Sequence, residues 1–261
     1  NGAADGSYAI NASVKDVAGN PTTADASVSL SGAVPDVTIN IFALADVVSA
    51  AEHSGPLAIT GTSTATAGST VTVTLNGQTY TTQVAGDQSW TLNLSTNAVS
   101  ALTDGGNYTI TASVTNSIGN SGSASHDFAV DTTAPSMTIT IDSVSDDTGR
   151  STSDFVTSDN TITLNGALSA ALGNNESAQI SLDGGVTWTT LTVTGTTWSY
   201  AQGSALADGS YTYNVRVIDA AGNVGSTAVQ TVVIDTVAPD ASQTISIDAI
   251  SQDTGLSSSD F

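Results

Sequence analysis

Apolar and polar residues alternate with period two along most of the chain. In DGSYAINASVKDVAGN, beginning at Asp5, the residues Tyr8, Ile10, Ala12 and Val14 fall on one face, the pattern of a half-buried strand. The turn Asp16-Val17-Ala18-Gly19-Asn20 and a second alternating run, ADASVSL, follow, which predicts a hairpin. The same hairpin returns at 104–130 (DGGNYTITASVTNSIGN…HDFAV) and at 208–234 (DGSYTYNVRVIDAAGN…TVVI). Its turn glycines, Gly19, Gly119 and Gly222, stand 100 and 103 residues apart. Between them the alternation predicts strands over 37–41, 57–62, 70–75, 79–84 and 89–94, closed by 108–115 and 123–130. The next stretch repeats the scheme over 137–141, 161–166, 178–182, 191–193, 198–201, 211–218 and 228–234. No helix of ordinary length is predicted; 97–103 and 169–172 each suit one short turn.

Seven short strands with turn signals in roughly 100 residues is the immunoglobulin-like sandwich pattern. The period of the array is set by a longer copy. DTTAPSMTITIDSVSDDTGRSTSDF at 131–155 returns as DTVAPDASQTISIDAISQDTGLSSSDF at 235–261, so the unit is the size of a domain. Pro35, Pro135 and Pro239 mark the joints, 100 and 104 residues apart, where proline stops strand pairing and stiffens a linker. The expected organisation is a C-terminal part of a repeat over 1–34, complete repeats over 35–134 and 135–238, and the N-terminal part of a further repeat over 239–261. Residue 1 falls inside a repeat, so the chain reads as a piece of a longer protein. The fold class is all-β: tandem immunoglobulin-like β-sandwiches in an elongated array, each contacting its neighbours in the same chain, with the whole expected to be a monomer. Scarce Lys, Glu and Leu beside abundant Thr, Ser, Val, Ala and Gly fit strands and turns.

Charge sharpens this picture. The chain carries 24 acidic and 3 basic residues, a formal net charge of −21. Nucleic acid and anionic membrane need basic surface and are excluded as electrostatic partners, and no apolar run is long enough to span a bilayer. There is no Cys, so disulfides are unavailable and core burial or metal ions must supply the staples.

The carboxylates concentrate at the joints. In a sandwich of this type, the loop after the first strand and the loop before the sixth lie at the end where the chain exits. That places Asp46, Glu52 and Asp104 with linker Asp131 in one repeat, and Asp142, Asp146, Asp147, Asp154 and Asp208 with linker Asp235 in the next. The turn between the last two strands lies at the entry end, so Asp219 and Asn223 are expected to face the Asp131 set. Crowded carboxylates repel unless a cation neutralises them. Oxygen ligands in flexible loops, without His or Cys, select Ca²⁺ over Mg²⁺. Calcium at each joint would bridge the linker, the exit loops and the next entry turn. Solvated loop aspartates are the bland alternative. The segment 142–154 lacks the order of an EF-hand loop. The first joint differs: it reads LSGAVP with Ser31 in place of the linker Asp, and its facing turn has Asn116 in place of Asp219. It is expected to bind calcium weakly or not at all and to bend more.

Other motifs point to structure rather than catalysis. Ser181-Leu182-Asp183-Gly184-Gly185-Val186-Thr187-Trp188 matches the S-x-D-x-G-x-T-W box, expected here as a hairpin turn. Trp90 alternates with Leu92 and Leu94, and Trp198 with Tyr200, which argues for core. His53 and His126 stand at unrelated points of the repeat with no Cys partner and no nucleophile elbow. No enzyme is expected. The alternative to a structural spacer is a carbohydrate- or protein-binding immunoglobulin-like module of a secreted protein, for which an exposed aromatic cluster at one loop end would be the mark.

The joints VDTTAP and IDTVAP, the turn IDAAGN, the segment IDSVSDDTGRSTSDF and SLDGGVTW resemble the bacterial immunoglobulin-like repeats of giant adhesins secreted by type I systems, among them RTX-type and biofilm-associated surface proteins. The stretch 35–134, with ADVVSAAE and TVTVTLNGQTY, resembles a second subtype of the same repeats. The resemblance implies an extracellular extender on the bacterial cell surface, stiffened by Ca²⁺ and projecting a distal ligand-binding domain. It also implies Asp131, Asp146, Asp147, Asp219 and Asp235 as calcium ligands.

Overall fold

The structure is a computed structural model that describes residues 6–40, 42–43, 46–240, 242–243 and 246. Most of the expected partial repeat over 239–261, with Asp248, Asp253 and Asp260, lies outside the described residues. The chain divides into two compact units. One comprises Asn1–Pro135 with Ile218–Val224, the other Ser136–Val217 with Gly225–Phe261.

The first unit opens with a ten-residue hairpin, β1 (Gly6–Lys15) and β2 (Pro21–Leu30), paired antiparallel from Gly6↔Leu30 to Lys15↔Pro21. Over the described residues of the expected strand at 37–41, Val37 bridges Ser63, and Thr38 N and Asn40 N donate to the Thr62 and Thr60 carbonyls at 2.9 and 2.8 Å. A two-residue strand β3 (Val47–Val48), the helix α1 (Ala50–His53) and the strands β4 (Leu57–Thr62), β5 (Thr70–Leu75), β6 (Gln78–Gln83) and β7 (Ser89–Leu94) follow. The short helix α2 (Thr96–Ser100) then leads to β8 (Asn107–Thr115) and β9 (Ser121–Val130). One sheet has the order β3-β9-β8-β5-β6 and the other pairs β4 with β7. The strand β3 runs parallel to β9; the remaining pairs are antiparallel. Alternate residues point inward as the period requires: Leu57 and Ile59, Val71, Val73 and Leu75, Trp90, Leu92 and Leu94, Ile110, Ala112 and Val114 form one core.

The second unit repeats the plan. Its strands are β10 (Ser143–Val144), β11 (Val156–Thr157), β12 (Thr163–Ala167), β13 (Glu176–Ser181), β14 (Thr189–Thr190), β15 (Val193–Thr194), β16 (Thr197–Ala201), β17 (Gly209–Asp219) and β18 (Val224–Ile234). The sheets have the orders β11-β18-β17-β13-β14 and β10-β12-β16-β15. The parallel β11–β18 pair mirrors β3–β9. Of the strand expected at 191–193 only Val193 is in a strand; the segment lies between two fragments, β14 and β15, that belong to different sheets. Ile162, Leu164, Ile180, Trp198, Val215, Val217, Val232 and Ile234 form the core.

One packing device recurs in both cores. Trp90 lies across the register from Gly61, and Trp198 across from Gly166. A Cβ on Gly61 would overlap the Thr38 carbonyl and the Trp90 indole, and one on Gly166 would overlap the Thr140 carbonyl and the Trp198 indole. The indoles fill space that only glycine leaves open. Trp188 is different: half-buried, its indole N–H donates to the Gly185 carbonyl and its ring lies under Arg216. Asp183 draws the box turn closed, accepting from Ser181 Oγ at 2.8 Å, Thr187 N at 2.8 Å and Thr187 Oγ1 at 2.6 Å. No helix among the described residues is long and apolar enough to cross a membrane.

Candidate functional site

The five-residue turns that the alternation predicts are closed by one arrangement. In the first, Asp16 Oδ1 accepts from Ala18 N and Asn20 N, each at 2.9 Å, and Gly19 takes φ +88°. Asn116 Oδ1 does the same for Ile118 N and Asn120 N, with Gly119 at φ +92°. Asp219 Oδ1 accepts from Asn223 N at 2.8 Å, with Gly222 at φ +92°. The fourth position needs glycine because its backbone is left-handed. The first residue braces the loop with a side-chain oxygen. The fifth residue, always Asn, donates its amide back to Asp16 Oδ2 in the first turn and to Asp219 Oδ2 in the third, each at 2.9 Å, and an amide has a second N–H with which to reach elsewhere.

In the first unit that amide binds the linkers. Asn223 is only 5% exposed. Its Nδ2 donates to the Asp131 carbonyl at 2.8 Å and to Asp219 Oδ2 at 2.9 Å. Its Oδ1 accepts from Ala50 N at 2.7 Å. Ala50 is the first residue of α1, where backbone N–H groups lack helical partners. Two more of those donors are met by a capping box: Glu52 Oε2 accepts from Ser49 N at 3.0 Å, and Ser49 Oγ accepts from Glu52 N at 3.4 Å. The sequence S-A-A-E at 49–52 carries that signature.

The other expected ligands of this unit each have local work. Asp46, at φ +60°, sits 2.8 Å from His126 Nε2 without the alignment of a hydrogen bond, and accepts weakly from Phe42 N at 3.4 Å. Asp104 accepts from Thr132 N and from Thr133 Oγ1, both at 2.6 Å. Those bonds, the Thr132 backbone first, hold its carboxyl below the ordinary range. Asp131 Oδ1 accepts from Thr133 N at 3.2 Å, and its own N–H donates to the Val48 carbonyl at 3.0 Å.

The second unit repeats this wiring. Asp208 Oδ1 accepts from Thr236 N at 3.0 Å and Thr236 Oγ1 at 2.7 Å, as Asp104 does from Thr132 and Thr133. Asp235 Oδ1 accepts from Val237 N at 3.1 Å, and Asp235 N donates to the Thr157 carbonyl at 3.0 Å. Asp142 is exposed, with its N–H on the Asn165 carbonyl. Asp146 takes φ +40° and its carbonyl accepts from Thr157 Oγ1 at 2.6 Å. Asp154 Oδ1 caps Val156 N at 3.2 Å. Asp147 Oδ2 accepts from Phe155 N at 3.0 Å, but its Oδ1 is buried without a partner. Buried carboxylate oxygens are costly unless satisfied.

Among the described residues no three His, Asp or Glu side chains converge as a metal-holding group. The carboxylates are brought to the same ends of the sandwiches yet are spread along the loops, each tied to nearby backbone. The donors present are all oxygens, and the unsatisfied Asp147 Oδ1 is the atom that fits a hard cation. Asn223, expected beside Asp219 to face the Asp131 set, reaches the Asp131 carbonyl with its amide, and the signal it shares with the other turns is the Asn that ends each of the three.

A model of the bacterial Ig-like domain matches residues 53–132 and 133–236. The chain belongs to the bacterial Ig-like domain family. The repeated turns, linkers and Gly–Trp pairs are thus features of two members of that family in series. No curated protein matches the chain. Among solved structures, a 1.5-MDa bacterial ice-binding adhesin studied for host cell surface retention is 25% identical, with a TM-score of 0.45, over 89% of this chain and 75% of that one. A Ca²⁺-stabilized, ice-binding adhesin of an Antarctic bacterium is 24% identical, with a TM-score of 0.42, over 87% of this chain and 56% of that one. A tetra-tandem repeat from the extending region of a large adhesion protein is 24% identical, with a TM-score of 0.36, over 89% of this chain and 57% of that one.

Proposed function

We propose that the chain is a non-catalytic extender segment of a large bacterial cell-surface adhesin. Its immunoglobulin-like repeats serve as a spacer that holds a distal ligand-binding domain away from the cell. The observation that carries this reading is the repeated linker wiring. Asp104 with Thr132 and Thr133, and Asp208 with Thr236, tie each linker to the loop before the penultimate strand by the same backbone bond and one threonine hydroxyl. A spacer needs each module to hand the chain on in a defined way, and repeating that handover is its function.

Calcium is the proposed stiffener, held in the second unit by Asp147 together with Asp142, Asp146, Asp154, Asp208 and linker Asp235, and in the first by Asp131 and Asp219 with support from Asp46, Glu52 and Asp104. The unsatisfied Asp147 Oδ1 supports this, as does a net charge of −21 with three basic residues against 24 acidic ones. When bound, a divalent cation would relieve carboxylate repulsion and couple its binding to ordering of the loops. The test is small-angle scattering and thermal melting with calcium and with chelator. A rise in maximum dimension and in Tm on adding calcium is expected; identical profiles and Tm values refute the calcium stiffener.

A further inference from the structure

The linker before the first complete sandwich departs from the acidic pattern at two places, Ser31 and Asn116. We propose that this linker is held by side-chain amides, as a clasp that needs no cation. Asn120 Nδ2 donates to the Ser31 carbonyl at 2.9 Å and to the Ala33 carbonyl at 3.1 Å. Asn116 Nδ2 donates to the same Ala33 carbonyl at 3.1 Å. The Asn116 side chain is therefore used at both ends: its oxygen braces the turn and its nitrogen holds the linker.

An aspartate at position 116 would brace the turn equally well, as Asp16 and Asp219 do. It has no donor for a carbonyl. The change from Asp to Asn thus keeps the turn and adds one bond to the linker. The change from Asp to Ser at 31 removes the matching carboxylate from the linker itself. The two departures together trade a pair of negative charges for neutral amide–carbonyl bonding. The linker that lacks its acidic residues keeps the bond that Asn223 makes to the Asp131 carbonyl, through Asn120 to Ser31, and gains a second amide donor in Asn116.

An independent observation shows that the linker backbone lies close against the sandwich. A Cβ on Gly122, in β9, would overlap the Pro35 carbonyl. The next residue is anchored as well, since Asp36 N donates to Thr64 Oγ1 at 2.8 Å and Thr64 N to the Asp36 carbonyl at 3.1 Å. Amides and carbonyls do not titrate and are not removed by chelators, so the clasp persists where a calcium strut would fail. It stands whether or not calcium binds at Asp131.

The test is backbone ¹⁵N relaxation on the full chain, in chelator and in calcium. Residues 31–34 of the unaltered protein are expected to keep order parameters near 0.85 in both, the level of rigid backbone, and the Asn116→Ala/Asn120→Ala protein to fall below about 0.6 in both. Asn120→Asp is the nearly isosteric second variant: it places an acceptor against two carbonyls and is expected to show the same loss, while the amide shifts of β4 and β7 around Trp90 stay in place. The clasp is overturned if the unaltered linker falls below about 0.6 in chelator, if only calcium orders it, or if neither variant changes it.

Discussion

Asn223→Ala tests whether one turn residue supports both the linker and the start of α1. The substitution removes the donor to the Asp131 carbonyl and the acceptor for Ala50 N–H. The turn keeps its backbone closure, because Asp219 Oδ1 still accepts from the residue 223 N–H. A typical intramolecular hydrogen bond contributes about 0.5–1.5 kcal/mol net, so the two bonds that reach the linker and α1 are worth about 1–3 kcal/mol, besides the lost bond to Asp219 Oδ2 within the turn. Ala50 is exposed, and water reaching its N–H pulls the loss toward the lower end. Amide hydrogen exchange reads this directly. At tenfold per 1.4 kcal/mol, Ala50 N–H is expected to exchange about 5- to 150-fold faster in the variant. Asn223→Asp separates the two bonds: it keeps an acceptor for Ala50 but loses the donor to Asp131 and sets a new carboxylate against Asp219. Ala50 protection is expected to survive in that variant, while residues 131–133 lose order. Ala50 exchange within twofold of the unaltered protein in Asn223→Ala would refute the reasoning.

Asp183 is held at a pKa of about 2 by bonds from Thr187 and Ser181. A folded-state pKa below the ordinary 3.8 contributes stability that is complete above that value and is lost as pH falls through about 2. Urea midpoints are therefore expected to drop between about pH 4 and pH 2, and Asp183→Asn to flatten part of that fall; parallel profiles for the two proteins would count against it. Gly166→Ala pushes a methyl into the Trp198 indole and the Thr140 carbonyl. Overpacking of this kind costs about 1–3 kcal/mol, or roughly 4–8 °C of Tm per kcal/mol in a domain of this size. Trp198→Phe added to it is expected to recover part of that loss, and strict additivity of the two changes in calorimetry would show that they do not meet.

Much of the fold was legible because its signal is local. The strands at 57–62, 70–75 and 89–94 were read from alternation alone and appear with those bounds. Trp90 and Trp198 lie in the core, as their alternation with Leu92, Leu94 and Tyr200 suggested. Where pairing depends on distant partners, the reading was looser. The two-residue strands β3, β10 and β11 exist only because β9, β12 and β18 run beside them. No periodicity shows in two residues. The helix α1 carried a capping-box signature, but its Glu52 also looked like a loop carboxylate, and four helical residues are too few to reveal a helical period.

The candidate site divides in the same way. The sequence by itself determined the repeat length, the acidic linkers, the five-residue turns and the two departures at Ser31 and Asn116, because each is a matter of which residue stands at which repeated position. Only the tertiary structure decided what those side chains hold. Asp104 and Thr132 are 28 residues apart, Ala50 and Asn223 173, and Asn120 and Ser31 89. Hydrogen bonds act over about 3 Å and depend on direction. No pattern along the chain reports which donor and acceptor the sandwich will bring together.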